Sequence, residues 1–305
     1  MKLSRFSKFA WFVLFYNVLV VLWGAYVRAS GSGAGCGAHW PLCNGEVVPM
    51  APQLKTLVEF SHRISSGIAL VLVVVMLVWA WRTYAKGSPV RLGAAFAMAF
   101  MITESLVGAM LVLFRWVALD QSVERVYSIS VHLVNTFLLL GSLSLTAWWS
   151  SGGKPLRIRG QNKRTLVMFI AAFIGMMVIG VSGAITALGD TLFPAGTLTA
   201  GIQQDFEATA HFLVRLRVIH PLMAVTVGVF LLAMAYFWPV PNDDIPLHRL
   251  TTALVSLVLI QLAAGALNVI LLAPAWMQLI HLLLADSVWI VLTLFAAQVL
   301  REPSQ

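Results

Sequence analysis

The chain has 305 residues, of which 60% are hydrophobic and only 10% are charged, whereas soluble domains carry roughly 25% charged residues. This composition excludes a soluble globular domain and indicates an integral membrane protein. The net charge of +8 comes from basic residues in short loops between apolar segments, so we expect it to orient the chain in a membrane and expect no nucleic-acid partner.

Eight apolar segments follow one another along the chain, and each is about long enough to cross a hydrocarbon core of roughly 30 Å as a helix. They cover residues 9–29, 56–81, 93–114, 126–149, 164–187, 213–239, 249–272 and 276–300. The first follows Lys2, Arg5 and Lys8, as a secretory signal would. It is longer than the apolar region of a cleaved signal, so we predict an uncleaved first span.

Basic residues predict the orientation of these spans. Most of the 20 lysines and arginines lie in loops on the side of the two termini, and the positive-inside rule makes that side cytoplasmic. We therefore expect a multi-pass protein of the cell membrane with both termini in the cytoplasm. The two long loops, 30–55 and 188–212, then face outward.

The first outward loop contains the only two cysteines, in Cys36-Gly-Ala-His-Trp-Pro-Leu-Cys43. The outward compartment is oxidising and the intervening residues favour turns, so we predict a disulfide between Cys36 and Cys43. A zinc site is disfavoured, because two cysteines and His39 are one ligand short of a four-ligand site. The spacing leaves open whether the bridge is structural or redox-active.

The second span opens with Glu59-Phe60-Ser61-His62-Arg63. On a helix, Glu59 shares a face with His62 and Arg63, about one turn away. Ionisable side chains at membrane depth are costly and usually functional, which makes this cluster a candidate site. The alternative is an interfacial cap, in which Glu59 suits the helix dipole and Arg63 anchors to lipid headgroups.

The second half of the chain repeats the first. Residues 24–29 match 183–188, His62 matches His220, 108–112 match 265–269, and 131–133 match 280–282, all in the same order. Because each half has an even number of spans, the halves are parallel repeats. We predict an all-α integral membrane fold of two four-helix bundles, with an N-terminal unit at 1–150 and a C-terminal unit at 164–300.

The repeat separates four histidines from the rest. His62, His132, His220 and His281 fall in spans 2, 4, 6 and 8, each in the outward third. Two imidazoles at one depth in each half can hold a metal macrocycle from both faces. A single membrane histidine is more often an interhelical contact, but four at equivalent positions favour ligands. His39, His211 and His248 lack this equivalence, although His211 lies near the outward mouth.

Four arginines lie near the histidine-bearing helix ends: Arg63, Arg125, Arg215 and Arg217. A guanidinium suits the carboxylates of such a macrocycle, and the alternative is an ordinary interfacial anchor.

The two halves differ in their acids. The repeat pairs Glu59 with Arg217 and Glu104 with Gln261. A carboxylate beside a metal ligand can transfer protons or stabilise a developing cation, whereas an arginine can only donate to anions. The N-terminal half is therefore the predicted reactive site, and the C-terminal half is predicted to carry electrons. Glu104 is either a proton route or a hydrogen-bonded interhelical acid, with the second favoured. Asn135 and Asp286 stay unassigned.

Together these features resemble the haem A synthase family across nearly the whole chain. The resemblance is carried by the eight spans, the Glu-x-x-His-Arg motif at 59–63, the loop 33–45 and the four-histidine repeat. It implies an oxidoreductase that converts the C8 methyl group of haem O to a formyl group by successive hydroxylations, giving haem A for terminal oxidases. The loop 188–212 lacks the second cysteine pair that some members carry.

By position, the resemblance also implies roles for individual residues. His62 and His132 would bind the iron of the substrate haem O, and His220 and His281 the iron of a haem b cofactor. Glu59 would be the catalytic acid. Haem O, haem A and membrane lipid are the implied partners. Association with a haem O synthase, with oxidase assembly factors or with a second copy of the chain stays open.

Two other classes of protein share some of these features. A bis-histidine dihaem electron carrier explains the four histidines but not Glu59 in one half only. A transporter built from parallel repeats explains the symmetry and a membrane acid, but has no use for four histidines at one depth. The haems extracted from the protein discriminate the three classes.

Overall fold

The structure is a computed structural model that describes residues 3–301. Ten α-helices and one 3₁₀ turn make up this part of the chain, and its only β-contacts are two isolated bridges. The helices are α1 Arg5–Ala29, α2 Leu54–Thr83, α3 Pro89–Leu113, α4 Val123–Ser150, α5 Lys163–Leu192, α6 Leu198–Phe206, α7 Phe212–Arg215, α8 Ile219–Tyr236, α9 Ile245–Ile270 and α10 Ala275–Val299. The predicted all-α class is confirmed.

Eight of these helical segments are long and apolar enough to cross a membrane. The sixth, Phe212–Tyr236, joins α7, the 3₁₀ turn Leu216–Val218 and α8. Each predicted span corresponds to one of them, so the chain is a multi-pass membrane protein. The fifth runs past its predicted end to Leu192, and the loop behind it contains the unpredicted helix α6.

Polar side chains fix the starts of these helices. Ser4, Ser88 and Ser122 accept hydrogen bonds from first-turn backbone N–H groups of α1, α3 and α4. Asn162 and Asp244 do the same for α5 and α9. Such caps satisfy donors that have no partner inside the helix, so each span begins next to a short polar connection.

The helix contacts form two rings. In the first half α1 packs on α2, α2 on α3, α3 on α4, and α4 returns to α1. In the second half α5 packs on α8, α8 on α9, α9 on α10, and α10 returns to α5. The helices α1, α4, α5 and α10 also contact one another across the halves. These four helices form the seam between the halves.

Packing differs between the two ends of the bundle. We call the end where α1 and α5 finish the loop end, and the opposite end the terminal end. Fully buried side chains such as Ala10, Met76, Leu143, Leu254 and Phe295 lie in the middle and toward the terminal end. The four repeat-related histidines lie toward the loop end and are only partly buried. These histidines are therefore less completely buried than the side chains in the middle of the bundle.

Candidate functional site

Three of the four histidine rings lie directly against a glycine of a neighbouring helix. A Cβ atom added at Gly24 would lie 2.9 Å from Cε1 of His62. At Gly183 and Gly265 it would lie 3.0 Å from Cε1 of His220 and His281, respectively. Ordinary carbon–carbon contacts are about 3.5–4.0 Å, so only glycine leaves room for these rings. Three of the four glycines that head the sequence repeats, Gly24, Gly183 and Gly265, are therefore cradles for imidazoles.

The rings of His220 and His281 face each other across a gap between α8 and α10. Their centres are 6.4 Å apart and their planes are nearly perpendicular, at 89°. Ser182 Oγ lies 3.0 Å from His220 Nδ1, a contact that fixes the ring and leaves Nε2 free. Hydrogen bonds of this kind orient imidazoles that bind metals.

The spacing of this pair fits a haem iron. An imidazole nitrogen binds a transition metal at about 2 Å, and the ring centre lies about 1 Å further back, so two rings on opposite faces of one iron have centres about 6 Å apart. No cluster of three or more His, Cys, Asp or Glu that could hold a bare metal ion exists within residues 3–301. A pair of histidines suits a metal that brings its other ligands with it, as haem does.

Unsatisfied imidazole nitrogens point the same way. The Nδ1 atoms of His62 and His281 are buried and make no hydrogen bond to any part of the chain that the structure describes. A buried polar atom without a partner costs about 1–3 kcal/mol, so these rings need groups that the described residues do not provide.

His132 has an acidic neighbour that the sequence analysis did not assign to it. Glu104 of α3 approaches His132 Nδ1 to 3.4 Å through Oε2. The Glu104 carboxylate also accepts hydrogen bonds from Asn135 Nδ2 and Thr136 Oγ1, both at 2.5 Å. It is thus an interhelical acid between α3 and α4, as favoured from the sequence, and it additionally contacts a histidine.

The C-terminal half has an amide where the first half has this acid. Gln261 Nε2 lies 3.3 Å from His281 Nε2, and the sequence repeat pairs Gln261 with Glu104. Each residue touches the histidine of its own half. The matched contacts could have been suspected from the repeat, because both residues keep the same relation to their glycines at 108 and 265.

Glu59 holds the disulfide loop onto α2. Its carboxylate is 3% exposed and accepts from the backbone N–H of Cys36 at 2.8 Å. Arg63 donates to the same carboxylate from Nε at 3.1 Å and also from Nη2. Arg63 Nη1 reaches the carbonyl oxygens of His39 and Leu42. The hydrogen-bond partners of Glu59 are therefore in the loop and on Arg63, one turn along, and do not include His62.

Cys36 and Cys43 are joined by a disulfide in the structure. The loop that they close approaches the start of α2 so tightly that a Cβ atom at Gly35 would lie 2.4 Å from the carbonyl oxygen of Lys55. Thr56 Oγ1 donates to the carbonyl of Gly35 at 2.8 Å. The loop therefore forms a fixed cover above the Glu59 region.

The four arginines named as carboxylate ligands have different environments. Arg217 pairs with Asp190 at 3.1 Å and with Asp205 of α6 at 3.0 Å, and Gln204 accepts from it at 2.9 Å. Arg125 is buried and donates to the carbonyls of Ala118 and Asp120. Arg215 is exposed. Arg63 is paired with Glu59, so it and Arg217 already have acidic partners.

Helix α6 is held to the sixth span through Arg217. Burial raises the pKa of Asp205, and the charge of Arg217 opposes that rise. The remaining histidines lie outside the paired sites: His39 and His248 are exposed, and His211 caps α7 by accepting from Leu213 N at 3.3 Å. Asp286 is fully buried in α10, and neither of its carboxylate oxygens has a hydrogen-bond partner among the described residues.

Comparison with known proteins places this arrangement in a family. Residues 7–293 match the profile of the COX15-CtaA family, described as cytochrome oxidase assembly protein. The chain belongs to this family. Heme A synthase of Halalkalibacterium halodurans is 43% identical over 97 residues, which cover 32% of this chain and 33% of that protein. Heme A synthase of Exiguobacterium sibiricum is 34% identical over 139 residues, 46% of this chain and 45% of that protein.

A longer match bears a different name. Protoheme IX farnesyltransferase of Thermus thermophilus is 52% identical over 299 residues, or 98% of this chain but 49% of that protein. The chain thus spans about half the length of this relative. The family match and the two Heme A synthases confirm the predicted resemblance.

Proposed function

We propose that the chain is a haem A synthase of the cell membrane, with both termini in the cytoplasm. It would oxidise the C8 methyl group of haem O to a formyl group by successive hydroxylations. The N-terminal unit, 1–150, would bind the substrate haem O, and the C-terminal unit, 164–300, would bind haem b. The Heme A synthase relatives and the fit of the His220–His281 pair to a haem iron support this proposal.

The observation that carries the proposal is that, at the repeat-related positions, carboxylates lie beside the histidines of the N-terminal half only. In the N-terminal half Glu104 touches His132, and Glu59 lies one turn before His62. At the repeat-related positions the C-terminal half has Gln261 and Arg217. Two similar haem sites of an electron carrier would need no such difference. Carboxylates near only one pair suit a site where protons move during a reaction.

In this proposal His62 and His132 bind and orient haem O. Glu104 faces Nδ1 of His132 and fixes the direction of that ring, as carboxylates do for metal-binding histidines. Glu59 would act on the substrate beneath the loop that Cys36 and Cys43 close. Both of its oxygens accept N–H donors, which stabilise its negative charge, and a carboxylate in this form can stabilise a developing cation.

The histidine pair of the C-terminal half would supply electrons to the site in the N-terminal half. His220 and His281 would hold haem b, which supplies one-electron transfer when bound. Ser182 fixes His220 through Nδ1. The arginines Arg63, Arg125, Arg215 and Arg217 are candidate partners of haem propionates. The loop closed by Cys36 and Cys43 would keep water from the substrate site.

The Thermus relative favours one partner. The name of this relative refers to farnesyl transfer to protohaem, and about half of its length lies outside the match to this chain. We propose that the present chain takes its substrate from an enzyme of that activity, the haem O synthase. Contact with oxidase assembly factors or with a second copy is compatible with this role.

Expression in cells that make haem O but no haem A tests the function. We expect haem A to accumulate with the wild-type chain and not with His62→Ala. A parallel incubation of membranes with protohaem and farnesyl diphosphate tests whether the chain has the farnesyltransferase activity that the name of the Thermus relative states. If the membranes form haem O from protohaem and no haem A, the activity of the chain is farnesyl transfer and not oxidation. Neither product, in a protein that still holds haem b, would favour the dihaem electron carrier.

A further inference from the structure

Arg28, near the end of α1, crosses the seam between the two halves. Its Nη1 donates to the carbonyl oxygen of Ala187 at 2.7 Å and to Thr191 Oγ1 at 3.1 Å, both on α5. Its Nη2 donates to Gln278 Oε1 on α10 at 2.9 Å. All three acceptors belong to the C-terminal half, although Arg28 belongs to the N-terminal half.

The guanidinium lies about one turn from the histidine pair of the C-terminal half. Ala187 follows Gly183, the cradle of His220, by four residues, and Gln278 precedes His281 by three. Residues three or four apart lie one above the other on a helix face. Arg28 is therefore next to the loop-end edge of the space between His220 and His281.

The charge of Arg28 has no close counterion. Within residues 3–301 no carboxylate oxygen lies within 4.0 Å of it, in contrast to Arg63 and Arg217. Asp190 of α5 is paired with Arg217.

A guanidinium has five N–H donors, and three contacts leave some of them free. Arg28 is only partly buried, and no other hydrogen-bond acceptor for these donors is found among residues 3–301. A cation without a close acid is unfavourable in a low-dielectric region unless an anion joins it. The chemistry fits a carboxylate, which guanidinium binds through strong charge-assisted hydrogen bonds.

We propose that Arg28, supplied by the N-terminal half, binds a propionate carboxylate of the haem held by His220 and His281. This inference rests on the proposed function, because it takes haem b as the group between those histidines. The C-terminal site is then complete only when the two halves are packed together. Arg28 is a cofactor-binding residue that the positions of the histidines alone do not indicate.

Protohaem and its dimethyl ester, which lacks both carboxylates, are the probes. They are added to the purified full-length protein, freed of haem, in a His62→Ala background that leaves His220 and His281 as the complete pair. We expect protohaem to be released from it about 10- to 100-fold more slowly than the ester, as charge-assisted bonds predict. Arg28→Gln should lose most of this preference, and Arg28→Lys should keep part of it.

Gln278→Leu is the matched control, since it removes a partner of Arg28 and leaves the cation. If Arg28 only ties α1 to α10, Gln278→Leu and Arg28→Gln will release protohaem equally fast, and the proposal is wrong. Equal release of protohaem and ester by the unmodified Arg28 protein also overturns it, even if Arg28→Gln does not fold. Haem A formation is measured separately in the chain that keeps His62: its absence there, together with a preference of the His62→Ala protein for protohaem over the ester, would reject the proposed function and leave this inference standing.

Discussion

Gly265→Ala should weaken haem binding in the C-terminal half without harming the haem-free fold. The new Cβ atom would lie 3.0 Å from His281 Cε1, which is about half an ångström inside an ordinary contact. A free imidazole can swing away from it. A ring fixed by a bond to iron cannot, so the strain falls on the haem-loaded protein alone.

The size of the effect follows from known substitutions. Overpacking by a methyl group costs about 1–3 kcal/mol, which corresponds to about 5- to 150-fold weaker haem binding. In the haem-free protein, replacing a helical glycine by alanine should instead gain up to about 1 kcal/mol.

Gly108→Ala is the matched control, because Gly108 is the repeat-related position and an added Cβ atom there meets nothing within 4 Å. The assay is the rate of haem transfer from the purified variants to a haem acceptor, together with thermal unfolding of the haem-free forms. Equal haem retention in Gly265→Ala and Gly108→Ala would refute the cradle interpretation.

Three further predictions concern Glu59, the disulfide and the histidines of the C-terminal half. Glu59→Gln should keep haem bound but lower haem A formation by about 10²–10⁴-fold, since it cannot exchange a proton; wild-type output would exclude a role in the reaction. Cys36 and Cys43 should form one bridged peptide in mass analysis of protein purified without reductant, and two free thiols would contradict both the bridge and the outward placement of the loop. His220→Ala and His281→Ala should each remove the haem b spectrum and most haem A formation, whereas normal haem b content in both would reject the assignment.

The sequence predicted the spans well because apolar length is a strong local signal in a membrane protein. The repeat marks His62, His132, His220 and His281 as equivalent, and the structure places all four toward one end of the bundle, with the rings of His220 and His281 6.4 Å apart. The parallel arrangement of the two units and the roles of these histidines stay predictions. The contact of Glu104 with His132 and that of Gln261 with His281 agree with the sequence repeat, which pairs Glu104 with Gln261.

Other features depended on packing that local patterns do not encode. Helix α6 was missed because its nine residues are too short for a clear apolar period. The partners of Glu59 were missed because helical spacing gives a shared face with His62 but does not say which way the carboxylate turns. Arg28 reaches Gln278, 250 residues away in sequence, and no motif connects the two.

The most direct test of the central claim is to extract and identify by mass the haems held by the protein purified from cells that make haem O. The account predicts haem b together with haem O, a hydroxylated form of it, or haem A, because the two histidine pairs hold a cofactor and a substrate. Haem b alone would contradict the claim and identify an electron carrier, and no haem at all would reject both haem sites.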